Sequence, residues 1–515
     1  MAPTSTTLNT STSEASVSPY SIDHLISDRS KNRSFKHFAA NADENAPKNF
    51  KPHPKPLALS FGRPNAQFFP VKKISVELDH YPFQDSIFEF ETETAEQAEP
   101  VIIEKFPTDK NELGAGEAFQ YGDVAGLPNF QKFLREFVET IHKPGNDQWG
   151  ISASNGSGEG LNKVADAIIN PGDIVLFEEF TFSPFGNNVR NVGGIPVPVK
   201  LNFKSTEDAD IDIKYLSDLL DNWDEIYPEY SGRKPKAFYT IPTCQNPTGL
   251  TQSVETRQAV YDLASKHDFI IIEDDPYGYL TLPKFEKPNK STLVKDHSLT
   301  VDEYLAHHLP KSYLQFDKEG RVIRVETFSK VFAPGLRLGF IVAHKKIIEV
   351  IKKYSSIVTR SPSGAAQLIL LNIIQKKFGG INGWLEWILR MRLAYAHRRN
   401  VLIDSISSSE AYSKGYINVI SADAGMFASL LVNFPSSIPS TEYVEKLNLL
   451  NYKFLEKGVT VVLGYKMSIN QAFSEPNANF LRLSYAPLDT DEQLAEAGKR
   501  LGEAVEEFFE NGFEF

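Results

Sequence analysis

The chain has 515 residues, of which 41% are hydrophobic and 23% charged, and 54 basic against 66 acidic residues give a formal net charge of −12. This composition is typical of a folded globular protein, and the absence of a basic block argues against nucleic acid or an anionic membrane as partner. The single cysteine, Cys244, excludes an intrachain disulfide and a cysteine-rich zinc site.

The N-terminal region is polar and contains several prolines near its end, so residues 1–56 are predicted to form a mobile N-terminal arm. Its first 20 residues are rich in Ser and Thr and lack the apolar segment of a secretion signal. The first arginine is Arg29, later than in a mitochondrial presequence. No stretch of the chain reaches the roughly 18 uncharged apolar residues that a membrane span requires. We therefore expect a cytoplasmic protein.

From residue 57 onward, short β-branched runs alternate with helical periods, among them a helix over 254–266. This alternation predicts an α/β fold with a doubly wound, mostly parallel sheet. The predicted strands are 172–177, 236–241, 269–272, 321–325 and 338–342. Two polar segments, near 203–235 and 282–318, are predicted to be surface insertions.

After about residue 360 the pattern changes to long helices, predicted over 365–377 and 384–406, followed by a strand over 458–463. A last helix is expected to end near Phe509. These elements indicate a smaller α+β domain. The predicted organisation after the arm has three parts: an N-terminal segment packing with the small domain (57–120), a large domain (121–360) and the small domain (361–515).

The first candidate site residues are Ser157 and Gly158, in a glycine-rich stretch over 154–161 that opens a helical period. Backbone N–H groups at a helix start bind phosphate well, although many such stretches only turn the chain. Phe182 follows the predicted strand 172–177. Its ring either stacks on a planar heteroaromatic group or belongs to the core.

Polar residues follow the next two predicted strands. Asn246 comes after 236–241 in a Gln-Asn-Pro-Thr-Gly sequence, where it either donates to a phenolate oxygen or only forms a turn. Asp274 follows the strand 269–272 and Glu273, at the C-terminal end of that strand, with Tyr277 three residues on. A buried acid there needs a cationic partner, and one such partner is a protonated pyridine nitrogen. The alternative is a strand-ending turn with capping side chains.

Lys330 lies just past the predicted strand 321–325, in a stretch where Pro334 prevents a continuing helix. An amine becomes a nucleophile at neutral pH when its pKa is lowered, and the nearby cationic Arg337 has that effect. Thr327, Ser329 and Arg337 are also suitable phosphate ligands. The pattern fits a lysine that forms a Schiff base, but an isolated Ser-Lys pair is more often an ordinary loop lysine, so the rest of the chain decides between the two.

Arg482 is predicted to lie in the middle of a strand, with apolar residues alternating around it. An inward-facing arginine binds a carboxylate in a bidentate fashion, which suits a substrate α-carboxylate, although an internal ion pair is the alternative. The 11 histidines show no metal-ligand spacing, so no metal is expected.

Together, the order and spacing of these motifs resemble the class I, fold-type I aminotransferases that use pyridoxal 5'-phosphate. The resemblance extends from about residue 57 to the end, and within the family it is strongest to the fungal aromatic and α-aminoadipate aminotransferases. The motifs that carry it are Gly62-Arg63-Pro64-Asn65, Gln120-Tyr121-Gly122-Asp123, Gln245-Asn246-Pro247-Thr248-Gly249, Glu273-Asp274-Asp275-Pro276-Tyr277, Ser329-Lys330, Pro334-Gly335-Leu336-Arg337 and Ala424-Gly425-Met426-Phe427.

The resemblance implies a role for each candidate residue. The catalytic group would be Lys330, which carries the cofactor and moves the substrate proton, with Asp274 on the pyridinium nitrogen and Tyr277 on the phenolic oxygen. The other residues that would bind the cofactor are Asn246, Phe182, Ser157, Gly158, Thr327, Ser329, Arg337 and Tyr121, the last from a second subunit. Those that would bind the substrate are Arg482, Asn246 and the backbone of Gly62.

The implied function is transfer of the amino group of phenylalanine, tyrosine or tryptophan to 2-oxoglutarate or a related oxo acid, by a ping-pong mechanism in a homodimer with shared active sites. The alternative donors are 2-aminoadipate and kynurenine. A lyase or decarboxylase is a second alternative on the same fold. A ligand-sensing regulator of transcription is the third, but it needs a basic DNA-binding module, and the predicted arm has no helix-turn-helix pattern.

The chain departs from the family's pattern in three places, one of which is Leu463-Gly464, where a Pro-Gly is usual. Gly158 stands where relatives usually have glutamine, which removes one side-chain contact to a phosphate. The segment from Arg29 to Lys36 lacks the Pro-Ser-Pro sequence of the family's N-terminal arm, which closes on the substrate side chain.

Overall fold

The computed structural model describes residues 20–34, 47–51, 53–55, 57, 59, 62–78, 99–203, 210–287, 299–420 and 422–515. Most of the predicted arm over 1–56 lies outside the described residues, as do residues 288–298 of the second predicted insertion. The helices, strands and contacts given below all belong to the described ranges.

Two β-sheets form the framework of the fold, one of seven strands and one of four. Two further strand pairs form small ribbons. In chain order the strands are β1 (Lys73–Val76), β2 (Val101–Glu104), β3 (Trp149–Ser154), β4 (Ile174–Glu178), β5 (Ile195–Val199), β6 (Leu201–Asn202), β7 (Asp210–Ile211), β8 (Pro235–Thr240), β9 (Ile270–Asp274), β10 (Val322–Thr327), β11 (Gly339–His344), β12 (Ile417–Ile420), β13 (Phe427–Val432), β14 (Val462–Leu463) and β15 (Phe480–Ser484).

Helices cover both faces of the larger sheet and one side of the smaller one. In chain order they are α1 (Asp28–Lys31), α2 (Ala115–Ala118), α3 (Pro128–Ile141), α4 (Ser157–Ile168), α5 (Ser183–Asn191), α6 (Ile213–Asp221), α7 (Trp223–Ile226), α8 (Val254–His267), α9 (Val301–Glu303), α10 (Lys345–Ile357), α11 (Gly364–Asn372), α12 (Ile381–Ser407), α13 (Glu410–Ser413), α14 (Tyr443–Glu456), α15 (Gln471–Ser474) and α16 (Asp491–Glu510).

The seven-stranded sheet has the order β3-β11-β10-β9-β8-β4-β5. Its neighbours pair in parallel from β10 to β5, whereas β11 runs antiparallel to both β10 and β3. Along β9, Ile271 belongs to one hydrophobic core, and Ile270 and Ile272 belong to the core on the opposite face. The prediction of a doubly wound, mostly parallel sheet is therefore confirmed.

The four-stranded sheet has the order β12-β13-β15-β14 and is antiparallel throughout. Its core packs against α12, α14 and α16. The strand predicted over 458–463 is wrong in length, because only Val462 and Leu463 pair, with Arg482 and Leu481 on β15. In the sequence, the strands of the seven-stranded sheet come before residue 360 and those of the four-stranded sheet come after it. A domain boundary at this residue stays a prediction.

The first predicted surface insertion, 203–235, instead contributes to the core of the larger sheet. Leu216, Leu219 and Leu220 on α6 are buried, and so is Trp223. Their spacing of three and four residues gives α6 one apolar face, which the polar residues around it conceal in the sequence. Part of the second insertion, 282–318, is also internal, since Tyr304 and Tyr313 are fully buried.

Within the predicted arm, residues 20–34 lie packed on the large sheet's helical layer. Ile22, Leu25 and Ile26 are buried in the core that contains α4. Both carboxylate oxygens of Asp166 on α4 are paired, with Arg29 at 3.1 Å and Arg33 at 2.7 Å. The expectation of an arm lying apart from the core therefore does not hold for this segment, because a buried acid far along the chain anchors it.

Candidate active site

Four candidate residues lie at one edge of the seven-stranded sheet, where its parallel strands end. Asp274 is the last residue of β9, and Lys330 lies three residues beyond the end of β10. Asn246 follows β8, and Ser157 begins α4 directly after β3. In doubly wound sheets this edge is where ligands bind. The fold thus brings together residues that are as much as 173 positions apart in the sequence, from Ser157 to Lys330.

The amino group of Lys330 lies in a partly buried position beside two arginines. Burial lowers the pKa of Lys330, and the positive charges of Arg337 and Arg482 lower it further. Each of these influences disfavours the ammonium form. A larger share of neutral amine is therefore present at physiological pH, as a nucleophilic lysine requires.

Asp274 is 3% exposed and has only part of its hydrogen-bonding capacity satisfied. Its Oδ2 accepts a hydrogen bond from the hydroxyl of Tyr239 at 2.6 Å, whereas the buried Oδ1 has no hydrogen-bond partner among the described residues. Burial raises the pKa of Asp274 to about 7, against the opposing effect of the Tyr239 hydrogen bond. A cationic donor placed at Oδ1 would stabilise the ionised form.

The stretch before α4 and the stretch after β10 meet and form a small cradle. Arg337 has a positive φ of 48°, and its Nη2 donates to the carbonyl of Asn155 at 3.2 Å. Gly156 has a positive φ of 82°, which favours glycine, and a Cβ there would lie 2.5 Å from that Nη2. At Gly158 a Cβ would have no atom within 4 Å, which leaves space over the start of α4.

The remaining members of the cradle are hydroxyl groups. Thr327 Oγ1 and Ser329 Oγ are 2.8 Å apart, and the backbone N–H of Ser329 donates to Thr327 Oγ1 at 3.2 Å. Two hydroxyls, the exposed guanidinium of Arg337 and the N-terminal N–H groups of a 12-residue helix together suit a phosphate dianion.

Arg482 lies on β15 of the smaller sheet, and its side chain points to the loop that contains Asn246. Its Nη1 donates to Asn246 Oδ1 at 2.8 Å and is 3.7 Å from the sulfur of Met467. Its Nε is buried and has no partner within the described residues. Burial lowers the pKa of Arg482, and no carboxylate of the described chain pairs with it. An incoming carboxylate would supply the missing partner.

Tyr277 is buried between the two sheets' loops, with its ring edge-on to Phe427 at 5.6 Å between centroids. Burial raises the pKa of the Tyr277 hydroxyl, and the neighbouring Cys244 and Asp274 add to this effect. The phenol is therefore a hydrogen-bond donor at physiological pH.

Two predicted residues, Tyr121 and Gly62, stand apart from this cluster. Tyr121 is 69% exposed, and within the described residues its side chain makes no hydrogen bond to the cluster. Gly62 is also exposed, with open space around its α-carbon. Phe182 is partly buried at the start of α5. A single copy of the described chain thus brings together most of the predicted site but not Tyr121 or Gly62.

Sequence reasoning missed three residues that shape the site, namely Tyr239, Met467 and Phe427. Tyr239 orients Asp274 from the neighbouring strand β8, and Met467 lies against Arg482. Phe427 belongs to a motif noted in the sequence, without a role of its own. The position of Tyr239 beside Asp274 and the position of Phe427 on its sheet depend on strand register. Strand register cannot be read from one sequence.

The described residues contain neither a candidate metal-binding cluster nor a candidate membrane-spanning helix. Nowhere in the described ranges do three or more His, Cys, Asp or Glu side chains converge so that they could hold a metal ion. In the same ranges, every helix is too short or too polar to cross a membrane.

Comparisons with known proteins agree with this geometry. The family model described as aminotransferase class I and II matches residues 89–501. The chain is 37% identical to aromatic amino acid aminotransferase 2 of Saccharomyces cerevisiae, over 88% of this chain and 91% of that protein. It is 28% identical to the L-tyrosine:2-oxoglutarate aminotransferase amt1 of Serpula lacrymans, over 88% and 90%.

Among solved structures, the aromatic aminotransferase Aro9 of Candida albicans is 48% identical to this chain. The superposition covers 95% of this chain and 99% of that one, with a TM-score of 0.88. The seven-stranded sheet flanked by helices is the fold-type I architecture expected from the sequence.

Proposed function

Since the chain belongs to the class I and II aminotransferase family, we propose that it transfers the amino group of an aromatic amino acid to 2-oxoglutarate or a related oxo acid. The relatives named for aromatic amino acids and for tyrosine with 2-oxoglutarate support this choice. The observation that carries the proposal is the position of Lys330 three residues beyond β10, at the carboxyl edge of the large sheet, with Arg337 of the cradle and Arg482 near it. Burial and these two positive charges lower its pKa, and Arg482 has no carboxylate partner in the described chain.

Pyridoxal 5'-phosphate is the proposed cofactor, and the described residues fit it. The Oδ1 of Asp274, which has no hydrogen-bond partner among the described residues, suits a pyridinium N–H, and the cradle at Gly156 and Arg337 suits a phosphate. When bound, this group supplies an electron sink for the electrons released at the substrate α-carbon. The residues proposed to hold it are Lys330, Asp274, Asn246, Tyr277, Phe182, Ser157, Gly158, Thr327, Ser329, Arg337 and, from a second copy of the chain, Tyr121.

The chain's own groups divide the work of the reaction. Arg482, with Asn246 and the backbone of Gly62, binds the α-carboxylate and orients the amino acid. Lys330 would accept the α-proton as a neutral amine, a role that its lowered pKa favours. Asp274 stays ionised when a cation lies at its Oδ1, so that it stabilises charge on the ring. The same steps in reverse aminate the oxo acid, which makes the kinetics ping-pong.

The surroundings of Arg482 favour an aromatic side chain over the alternative donors. Phe427, Tyr277 and Met467 lie around the guanidinium, and each offers an apolar or aromatic surface. Kynurenine is itself an aromatic amino acid and remains the nearer alternative.

A homodimer is part of the proposal, because one copy of the chain leaves Tyr121 outside its own site. Large apolar side chains are exposed in the same N-terminal part of the chain, where Leu59 is 97% and Phe68 83% exposed. Burial of these residues by a second copy would complete both sites. The buried, single Cys244 is compatible with the cytoplasm, the proposed location.

The direct test is the first half-reaction, followed by the absorbance of the bound cofactor after addition of phenylalanine. We expect conversion to the amino form of the cofactor with release of phenylpyruvate and without ammonia or carbon dioxide. Release of ammonia would favour the lyase alternative, and release of carbon dioxide would favour the decarboxylase alternative. Lys330→Ala should abolish the conversion, whereas Lys345→Ala, which replaces an exposed lysine on α10, should leave it unchanged.

A further inference from the structure

The pairing of β13 with β15 places three functional side chains on one face of the smaller sheet. Phe427 pairs with Ser484, and Ser429 pairs with Arg482. Residues paired directly or two positions apart share a face, so Phe427 is the diagonal neighbour of Arg482. The opposite face carries Leu430 and other residues of the small core. The face with Arg482 therefore lies toward the larger sheet.

Ser429 fastens this face to the loop after β8. Its hydroxyl donates to the carbonyl of Thr248 at 2.7 Å, two residues beyond Asn246. Arg482 reaches Asn246 itself at 2.8 Å. Ser429 thus binds the backbone of this loop, and Arg482 binds the side chain of Asn246 in the same loop. The two residues are paired on one face of the smaller sheet.

Phe427 is the side chain that supports the guanidinium of Arg482. The guanidinium carbon lies 4.5 Å from the centroid of the Phe427 ring, within the range of a cation–π contact. Phe427 is 8% exposed, so water competes little for this contact. With no carboxylate in the described chain to orient it, Arg482 depends on the ring and on Asn246 to fix the plane of its donors.

Phe427 also contacts the large-domain side of the site. The Tyr277 ring stands edge-on to it, with an interplanar angle of 79° and 5.6 Å between centroids. Edge-to-face packing is a favoured arrangement of aromatic rings. One side chain therefore contacts both the cation that suits a substrate carboxylate and the phenol beside Asp274.

We propose that Phe427 is a positioning residue for substrate recognition, which holds the guanidinium of Arg482 in the plane that receives the α-carboxylate. The inference rests on the proposed function, because it concerns the same site. It assigns the ring an electrostatic role in addition to packing. Both the amino acid and the oxo acid carry that carboxylate, so the effect extends to both halves of the reaction.

The test is a series of substitutions at position 427 in the cofactor-loaded enzyme. Phe427→Leu keeps an apolar side chain but removes the ring, and we expect KM for phenylalanine and for 2-oxoglutarate to rise roughly tenfold, with kcat changed by less than about twofold. Phe427→Tyr keeps the ring and is expected to retain a KM close to that of the wild type. Phe434→Leu removes a small-domain ring that stacks on Tyr443 and Phe509, and serves as the packing control.

Stepwise fluorination of the ring at position 427 separates electrostatics from shape, because fluorine weakens the negative face of the ring with little change in size. KM is expected to rise with each added fluorine. The proposal is overturned if Leu and Tyr variants have equal KM values, if fluorination has no effect, or if kcat falls while KM stays constant. Failure of the wild type to convert phenylalanine would refute the proposed function instead, so the two failures are distinguishable.

Discussion

Two arginines in interior strands differ in what the chain provides for their charge. Arg324 on β10 is 1% exposed and pairs with Glu273 at 2.7 Å, Asp275 at 3.1 Å and Glu326 at 2.7 Å. Arg482 on β15 is partly buried and has no carboxylate partner in the described chain. A buried charge without a partner is unfavourable. The difference indicates that Arg324 serves the fold, whereas Arg482 is left unmatched for a ligand.

Two aspartates repeat the same contrast with opposite charge. Asp166 holds the N-terminal segment through Arg29 and Arg33. Asp274 accepts one hydrogen bond from Tyr239, and its second oxygen is buried without a partner among the described residues. The unmatched members, Asp274 and Arg482, belong to the candidate site: Asp274 ends β9, and Arg482 reaches the loop after β8.

The strongest way to break the contrast is to remove the unmatched cation. Arg482→Met is expected to lower kcat/KM for aromatic amino acids by about 10²- to 10⁴-fold, because a bidentate contact contains two charge-assisted hydrogen bonds of about 1.5–3 kcal/mol each. Arg482→Lys keeps the positive charge but loses the two parallel N–H donors of the guanidinium. Its kcat/KM is expected to lie between those of the wild type and Arg482→Met. Steady-state kinetics with phenylalanine measures the effect, and unchanged KM values for both substrates would contradict it.

Removal of the matched cation should instead affect stability. Arg324→Met leaves three buried carboxylates without their shared partner and is expected to lower the free energy of unfolding by about 3–5 kcal/mol. Urea unfolding of the cofactor-free proteins measures it. Arg482→Met is the matched control and should lose little or no stability, since it removes a charge that forms no ion pair within the described residues. Equal losses in the two variants would refute the distinction between them.

The unmatched aspartate gives a pH-dependent prediction. With a folded-state pKa of about 7, above its usual value of 3.8, Asp274 binds a proton on folding between these pH values, so the stability of the cofactor-free protein falls as pH rises through this range. Asp274→Asn should therefore raise the free energy of unfolding at pH 8 by about 2–4 kcal/mol, with little change at pH 4.

The control for that measurement is Asp166→Asn, which removes ion pairs rather than an unmatched charge. It is expected to lower the free energy of unfolding at pH 8 by about 1–2 kcal/mol. Parallel urea titrations at pH 4, 6 and 8 compare the two variants. A gain in stability at Asp166, or a loss at Asp274, would reverse the assignment of the two carboxylates.

Much of the large sheet was predictable, because buried parallel strands appear as uninterrupted β-branched runs. The run over 269–272 predicts β9, with Asp274 at its C-terminal end, and the run over 236–241 predicts β8, with Asn246 in the stretch that follows it; the structure confirms both placements. The position of Lys330 just past β10 followed from the same pattern. Local sequence was sufficient for these features, since each depends on one strand and its end.

Features that depend on distant pairs were not predictable. The segment 20–34 is short and polar, and it docks because Asp166 offers an acid to Arg29 and Arg33, more than 130 residues away. Tyr239 meets Asp274 only through the register of β8 against β9. The contact of Phe427 with Arg482 likewise depends on the pairing of β13 with β15. The sequence contains these residues without indicating which of them meet.

The most direct test of the role of Arg482 compares an unreactive aromatic carboxylate with its uncharged amide. Calorimetric titration of the cofactor-loaded enzyme with 3-phenylpropanoate and 3-phenylpropanamide isolates the charge, because the two ligands share the same ring and length. We predict that the wild type binds the carboxylate at least about tenfold more tightly and that Arg482→Met binds the two equally. A preference for the carboxylate that persists in Arg482→Met would show that another group recognises it and would contradict the assignment.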